Sequence, residues 1–497
     1  MNDTTPFSDF SRQSPKGILV IYGDTLLQVL KQSWVLAAIF ITRLSRFSEQ
    51  DLQYIYLGII GIFILTLFTS YLSYRNFMFK VEDNHFLLKK GILKKNHTSI
   101  PFDRIQNINF KQNLIQQVIN VYGVAIETAG SKKTEITIKA LSHDEAIALK
   151  NQISITNKTT QPVKEQEKPM LKVNAKELLK VSMTENHLQS LFLFLALLLG
   201  FFQQIEQVLD SLGQKKILGT YIDQSSEFVF GSIVLIIIFL FFLIVIAIIS
   251  SFMRVFIRHF NLVMFVKEDA LEINQGLLTK KSTLLKKQKV QSITVSTNPL
   301  KRWVGIFYIT FKQAISGKVS KKNDKLIRIV GCNLSQVEKV KNDLLKMESI
   351  ETQSKEFSDD YYKMRMFLQS FLLILLLSTA GYLMYPDASI LLINIVLLPL
   401  FYFLVQKKFK KRFYKISQEL LLVGKGLIDT HHTYFELFKI QNIKLKQTIF
   451  QERKQVVDVI IQTASGKIKI PCIKQERANE IYNYLLYKAE TNKEPWM

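Results

Sequence analysis

Cysteine is nearly missing from this chain: Cys332 and Cys472 are the two in 497 residues. Thiols so far apart exclude a disulfide framework and fit a reducing compartment. Both fall near the ends of similar segments described below. Catalytic signatures are missing too. No serine-nucleophile motif, His-Glu-x-x-His zinc motif or phosphate loop occurs, so neither an enzyme nor a cofactor is expected. The adjacent His431-His432 does not make a metal site, because neighbours on a strand point to opposite faces and no Cys/His/Asp cluster completes one. Met1–Gly23 lacks an apolar core and a small-residue cleavage site, so no secretory leader is expected. The apolar segments are also poor in charge near their centres. Transporters place ionisable residues there, so transport is disfavoured.

Apolar and basic residues are plentiful. The chain is 48% hydrophobic with 36 Phe, yet its net charge is +24. Apolar blocks alternating with basic blocks give that combination. Six blocks approach the ~20 residues that cross a hydrocarbon core: Leu26–Ile41, Leu52–Ser73, Leu188–Ile205, Phe228–Phe252, Met366–Tyr385 and Ala388–Val405. Lys31 interrupts the first and can snorkel if the helix begins near Asp24. In the sixth, Pro399 is a candidate kink and Asn394 is expected to hydrogen-bond a neighbouring span. Lysine and arginine gather on one side of the spans, at Arg75, Lys80, Lys172, Lys176, Arg254, Arg258, Lys363, Arg365 and after Val405; the opposite loops hold Arg43, Arg46, Lys215 and Lys216. The positive-inside bias therefore predicts a multi-pass membrane protein with both termini and the intervening domains cytoplasmic.

Those domains are copies of one unit. Ile105-Gln106-Asn107-Ile108 returns as Val290-Gln291-Ser292-Ile293 and as Ile440-Gln441-Asn442-Ile443. Each glutamine stands 15 residues after a glycine (106−91, 291−276, 441−426). Alanines 129, 314 and 464 keep the register 38 residues after Gly91, Gly276 and Gly426. Spacing without gaps over that distance means one domain used three times. Short strands fill each copy, with Asp83-Asn84 as a turn signal. A helix closes each, with capping boxes expected at Ser142–Glu145 and Ser335–Glu338 and none in the third copy.

The expected organisation is an N-terminal segment (1–25), a transmembrane hairpin (26–73), domain one (74–153), a polar linker (154–187), a second hairpin (188–252), domain two (253–346), an acidic linker (347–365), a third hairpin (366–405), domain three (406–488) and a tail (489–497). The fold class is α+β: six transmembrane helices in three hairpins, each followed by a cytoplasmic β-barrel with a C-terminal helix.

The strand, Lys/Arg-rich run, Gly-Leu-Leu, Ile-Gln-Asn-Ile, later Thr-Ala and closing amphipathic helix resemble the bacterial pleckstrin-homology-like domain. The alternation of hairpin and domain resembles the YdbT-like multi-pass membrane proteins. Repeat two departs at Ser292, at Lys312 and by an apparent insertion over Val319–Lys325. The resemblance implies a PH-like fold, a location in the bacterial inner membrane and a homologous partner or self-association. It brings no agreed activity.

Three sets of residues are candidates for function. Gly91, Gly276 and Gly426 follow a strand and fit a turn needing positive φ better than a phosphate loop, which would need more glycines and a helix start. Gln106, Gln291 and Gln441 could contact a ligand, a neighbouring repeat or the backbone, and a structural hydrogen bond is favoured. Lys407, Lys408, Lys410, Lys411 and Arg412 follow the last span, where the anionic leaflet attracts cations. Lysines also flank Gly91 and Gly276. Nucleic acid is not expected, since no binding motif accompanies the charge. A membrane scaffold or sensor that binds protein or anionic lipid is the expected function. The alternative is a component of an export or protective complex against toxic peptides at the envelope.

Overall fold

The computed structural model describes residues 7–42, 48–128, 136–154, 168–185, 187–211, 233–314, 326–345, 348–385, 387 and 389–492. Arg43, Arg46, Lys215, Lys216 and the insertion at 319–325 lie outside them. Three described helices are long and apolar enough to cross a membrane: Glu49–Arg75, Ile237–His259 and Asp360–Met384. Each packs against a second helix, respectively Gly17–Thr42, His187–Ser211 and Asn394–Lys410. In the last pair Asn394 Nδ2 donates to Ser378 Oγ at 3.1 Å, as expected for a polar residue in an apolar segment. Phe367 meets Tyr402 edge to face.

Every repeat has seven strands on one plan. Repeat one comprises β1 (Ser11–Arg12), β2 (Met78–Glu82), β3 (His85–Lys90), β4 (Asn96–Pro101), β5 (Ile105–Gln112), β6 (Val121–Thr128) and β7 (Ile136–Ser142). Repeat two comprises β8 (Leu171–Lys172), β9 (Val263–Val266), β10 (Ala270–Gln275), β11 (Lys280–Lys286), β12 (Val290–Thr297), β13 (Phe307–Gln313) and β14 (Ile327–Cys332). Repeat three comprises β15 (Glu356–Phe357), β16 (Phe413–Ile416), β17 (Leu420–Lys425), β18 (Thr430–Glu436), β19 (Ile440–Lys446), β20 (Val456–Thr463) and β21 (Gly466–Lys474). Asp83 and Asn84 both take positive φ between β2 and β3, the backbone that matches a two-residue turn to strand twist. Closing helices follow at His143–Ser154, Leu334–Leu344 and Gln475–Thr491.

The sheets do not respect the repeats. Instead of three separate barrels there are sheets ordered β1-β2-β3-β4, β7-β6-β5-β11-β10-β9-β8, β14-β13-β12-β18-β17-β16-β15 and β19-β20-β21. The second half of one repeat is continuous with the first half of the next. Both faces of a shared sheet are therefore buried. Leu420 and Leu422 face the core of repeat two, while Leu421 and Val423 face that of repeat three. Each such leucine contributes roughly 1.5–3 kcal/mol by leaving water. In β3, whose sheet joins no other repeat among the described residues, Phe86 and Leu88 are buried and alternate with partly exposed neighbours.

Several sequence expectations need correction. Leu171–Met183, placed in a linker, adds β8 and a helix whose Leu178 and Val181 join the core of repeat two. Glu356–Phe357 and Ser11–Arg12, placed in the acidic linker and the N-terminal segment, are likewise strands of the following domains. The first helix starts at Gly17, not Asp24, so Lys31 lies about four turns inside rather than one or two. Its opening turns dock on repeat one, with Val20 and Ile21 buried. The capping box at Ser142 and Glu145 forms as expected. In repeat two it sits two residues earlier, at Asn333 and Gln336, because Ser335 donates to Asn333 Oδ1 and Glu338 pairs with Lys341. The helix of repeat three has no side-chain cap.

Candidate interfaces between repeats and at the membrane

The recurrent glutamine strand is where repeats join. At the first joint β5 runs antiparallel to β11, with Thr283 opposite Asn109 and Leu284 opposite Ile108. At the second, β12 pairs with β18, with Thr433 opposite Thr294 and Tyr434 opposite Ile293. Counted from each repeat's glycine, both joints set position 7 (283−276, 433−426) against position 18 (109−91, 294−276). The register is the same twice.

Side chains fix that register. Gln106 Nε2 donates to the Ala314 carbonyl at 2.8 Å, Gln313 Nε2 donates back to the Gln106 carbonyl at 3.1 Å, and Asn107 Nδ2 donates to Gln313 Oε1 at 2.7 Å. Thr283 Oγ1 donates to Asn109 Oδ1 at 2.7 Å; Thr294 and Thr433 share a hydroxyl bond at 3.1 Å. Of the readings open to the glutamine, Gln106 takes the neighbouring-repeat one. Gln106 and Gln291 are 6% and 1% exposed, whereas Gln441 lies exposed on an outer strand. The threonine at position 7 was overlooked in the sequence, although Thr98, Thr283 and Thr433 recur there.

Charge differs between the joints. Glu272 is set between Lys150 of repeat one and Lys267, the latter at 3.0 Å. The two cations outweigh burial and hold its carboxyl down to about 2. At the second joint Lys439 Nζ donates to the Val290 carbonyl at 2.6 Å. His432 packs on the Phe413 ring, and burial with nearby cations pushes it down to about 4. Burial also lowers His431. A cleft of about 390 Å³ at this joint is lined by Gln291, Tyr434 and Lys439 together with the Lys287–Asp343 pair. No nucleophile and base converge there. Among the described residues no three His, Cys, Asp or Glu side chains cluster as metal ligands.

The glycines serve a turn. Gly91, Gly276 and Gly426 have φ of 122°, 108° and 140°, and a Cβ would stand 1.8–2.0 Å from the carbonyl oxygen three residues on. Only glycine fits. The turn presents aliphatic residues outward, at Ile92 and Leu93, Leu277 and Leu278, and Ile428. Leu93 is 100% exposed. A second tip comes from the short helices Leu114–Val118, Pro299–Trp303 and Ile449–Glu452, whose outward residues include Val118, Trp303 and Phe450. Trp303 is 86% exposed. Side-chain caps from Asn113 and Asn298 hold the first two helices.

The glycine turns of repeats two and three adjoin the ends of apolar helices. Gly276 and Leu277 donate their N–H groups to the Phe260 and Ile257 carbonyls at the end of the Ile233–His259 helix. Gln117 Nε2 reaches the Leu278 carbonyl at 2.9 Å, so the first repeat's short helix meets the second repeat's turn. Lys411 Nζ donates to the Leu427 and Ile428 carbonyls, at 2.8 and 2.6 Å.

The five cations after the last helix consequently divide. Lys407, Lys408 and Lys410 are exposed on its final turn, where they also favour the helix dipole. Lys411 is committed to its turn, and Arg412, half-buried, donates to the Lys469 carbonyl. Cys332 and Cys472 are both buried and free. They are one position apart: Cys332 pairs with Phe307, while Cys472 occupies the bulge beside Ile473 with φ 49°.

Comparison with known proteins agrees with this division into repeats. The family described as Bacterial PH domain matches three times, over residues 27–155, 196–348 and 371–489. Among curated proteins, the UPF0699 transmembrane protein YdbT of Bacillus subtilis (strain 168) is 23% identical over 337 residues, covering 64% of this chain and 66% of that protein. The match thus spans slightly less than two thirds of the relative's length.

Proposed function

The chain belongs to the bacterial PH domain family, and on that premise we propose that it is a non-enzymatic membrane scaffold whose three domains form one row on the anionic cytoplasmic leaflet. It is a transmembrane protein with repeated domains. In this reading six spans in three hairpins tether the row, with both termini on the cytoplasmic side. One observation carries the lipid side: two apolar tips occur at equivalent offsets in each repeat, and the turns of repeats two and three meet the ends of apolar helices, with lysines nearby. Aliphatic and tryptophan side chains favour the boundary between headgroups and acyl chains. Lys94, Lys95, Lys280 and Lys281 near the turns, and Lys407, Lys408 and Lys410, would each add about 1 kcal/mol at an anionic surface.

The test uses the full chain in nanodiscs of neutral or anionic lipid. Bimane placed at Leu93 and Ile428 is expected to shift to shorter wavelength in both and to be quenched by lipid-borne quencher. Replacing Lys407, Lys408 and Lys410 with Gln should lower co-purified anionic lipid. Water-exposed probes in every disc would contradict the reading and leave protein contact as the tips' role. The envelope-protection alternative has the relative's membrane character behind it and no feature of the site that favours it.

A further inference from the structure

Among the described residues β19 is the outer strand of its sheet and β4 the outer strand of another. They are the same two strands, in repeat order, that make each internal joint. β19 corresponds to β5 and β12, and β4 corresponds to β11 and β18. The residues show what a missing partner leaves behind. Asn107 and Asn109 are buried in β5, and Gln291, Ser292 and Thr294 in β12. Gln441, Asn442, Lys444, Leu445 and Lys446 of β19 are exposed. On β4, Asn96, His97 and Ser99 are exposed, and Thr98 still occupies position 7 (98−91). Arg104, at the position of Lys439 (104−91, 439−426), is exposed as well, whereas Lys439 spans its joint.

We propose that β19 is the docking edge for the fourth strand of an acidic PH-like domain on another polypeptide, joined in the register used twice within this chain. Continuity with the internal joints gives the geometry. Charge chooses the occupant. Position 18, Asn109 or Thr294 at the internal joints, is Lys444 here (444−426), with Lys446 on the same face. In that register a second copy would set Thr98 opposite Lys444 and Asn96 opposite Lys446, with Lys94 diagonal to Lys446, so its head edge offers these lysines no carboxylate and adds a cation beside them. Diagonal neighbours are still within reach of long side chains, so a second copy is the poorer occupant and a strand carrying acids at those two places is the better one. Edge lysines are a common device against self-association.

The full chain can serve as its own probe. In detergent at matched concentration, the unmodified protein is expected to be one chain per particle by light scattering. Its alternate Asn442–Lys446 amides that point away from β20 should exchange freely. Lys444→Glu with Lys446→Glu makes the tail edge acidic and complementary to the basic head edge. That variant should associate head to tail, at least doubling the particle mass, with new protection at both Asn442–Lys446 and Asn96–Ser99. Lys444→Gln with Lys446→Gln should fall between the two. A variant that folds, as shown by unchanged protection in β20 and β21, yet stays single would overturn the edge assignment. An unmodified protein already associated through β4 and β19 would overturn the choice of a separate acidic partner.

Discussion

At the first joint Glu272 holds two lysines and Thr283 meets Asn109; at the second, the place of Glu272 (272−276) belongs to Leu422 (422−426) and Thr433 meets another threonine. The backbone ladders share one register, so strand pairing joins the repeats and side chains tune how each joint responds to conditions. The first is polar and charge-assisted. The second is apolar, with Leu420, Leu422 and Tyr434 entering the core of repeat two and His432 kept neutral against Phe413. One architecture therefore has two different sensitivities.

Acid should separate them most. His432, lowered to about 4 from 6.5, contributes stability that is complete above pH 6.5 and lost as pH falls through 4. Glu272, lowered to about 2 from 4.5, contributes stability that is complete above pH 4.5 and lost as pH falls through 2. At pH 4 the second joint should have lost about 3 kcal/mol and the first about 1 kcal/mol. Amide exchange of Thr430–Glu436 and Lys280–Lys286, corrected for intrinsic rates, measures both. Equal losses would remove the distinction.

A smaller effect sharpens the contrast between a joined strand and a free one. Gln106→Ala leaves the Ala314 carbonyl without its donor and should cost about 1–3 kcal/mol in thermal or denaturant unfolding. Gln441→Ala, on the exposed edge, should stay within about 0.5 kcal/mol. A large loss at Gln441 would mean that the glutamine acts inside its own repeat.

Much of this was legible in the sequence. The repeat followed from ungapped spacing, the glycine turn from its place behind a strand, and the three long apolar helices from apolar length. The shared sheets were not read out. Strand pattern reports burial and not partner, and β5 meets β11 across more than 160 residues of chain. A signal did exist: Leu420-Leu421-Leu422-Val423 is continuously apolar, as a strand buried on both faces must be, while His85–Lys90 is not. Lys411 and Arg412 could not be told from their exposed neighbours, because composition is blind to the turn and strand carbonyls they reach. The apolar tips were hidden because an exposed leucine has no local signature apart from its recurrence at equivalent offsets.

Hydrogen exchange on the three glutamine strands tests the central claim most directly. If joints between repeats bury these strands, amides of Ile105–Gln112 and Val290–Thr297 should be protected throughout in the purified full chain, whereas in Asn442–Lys446 the alternate amides that point away from β20 should exchange nearly as fast as loops. Equal protection in all three strands of a single chain would contradict the account, since each repeat would then close on itself.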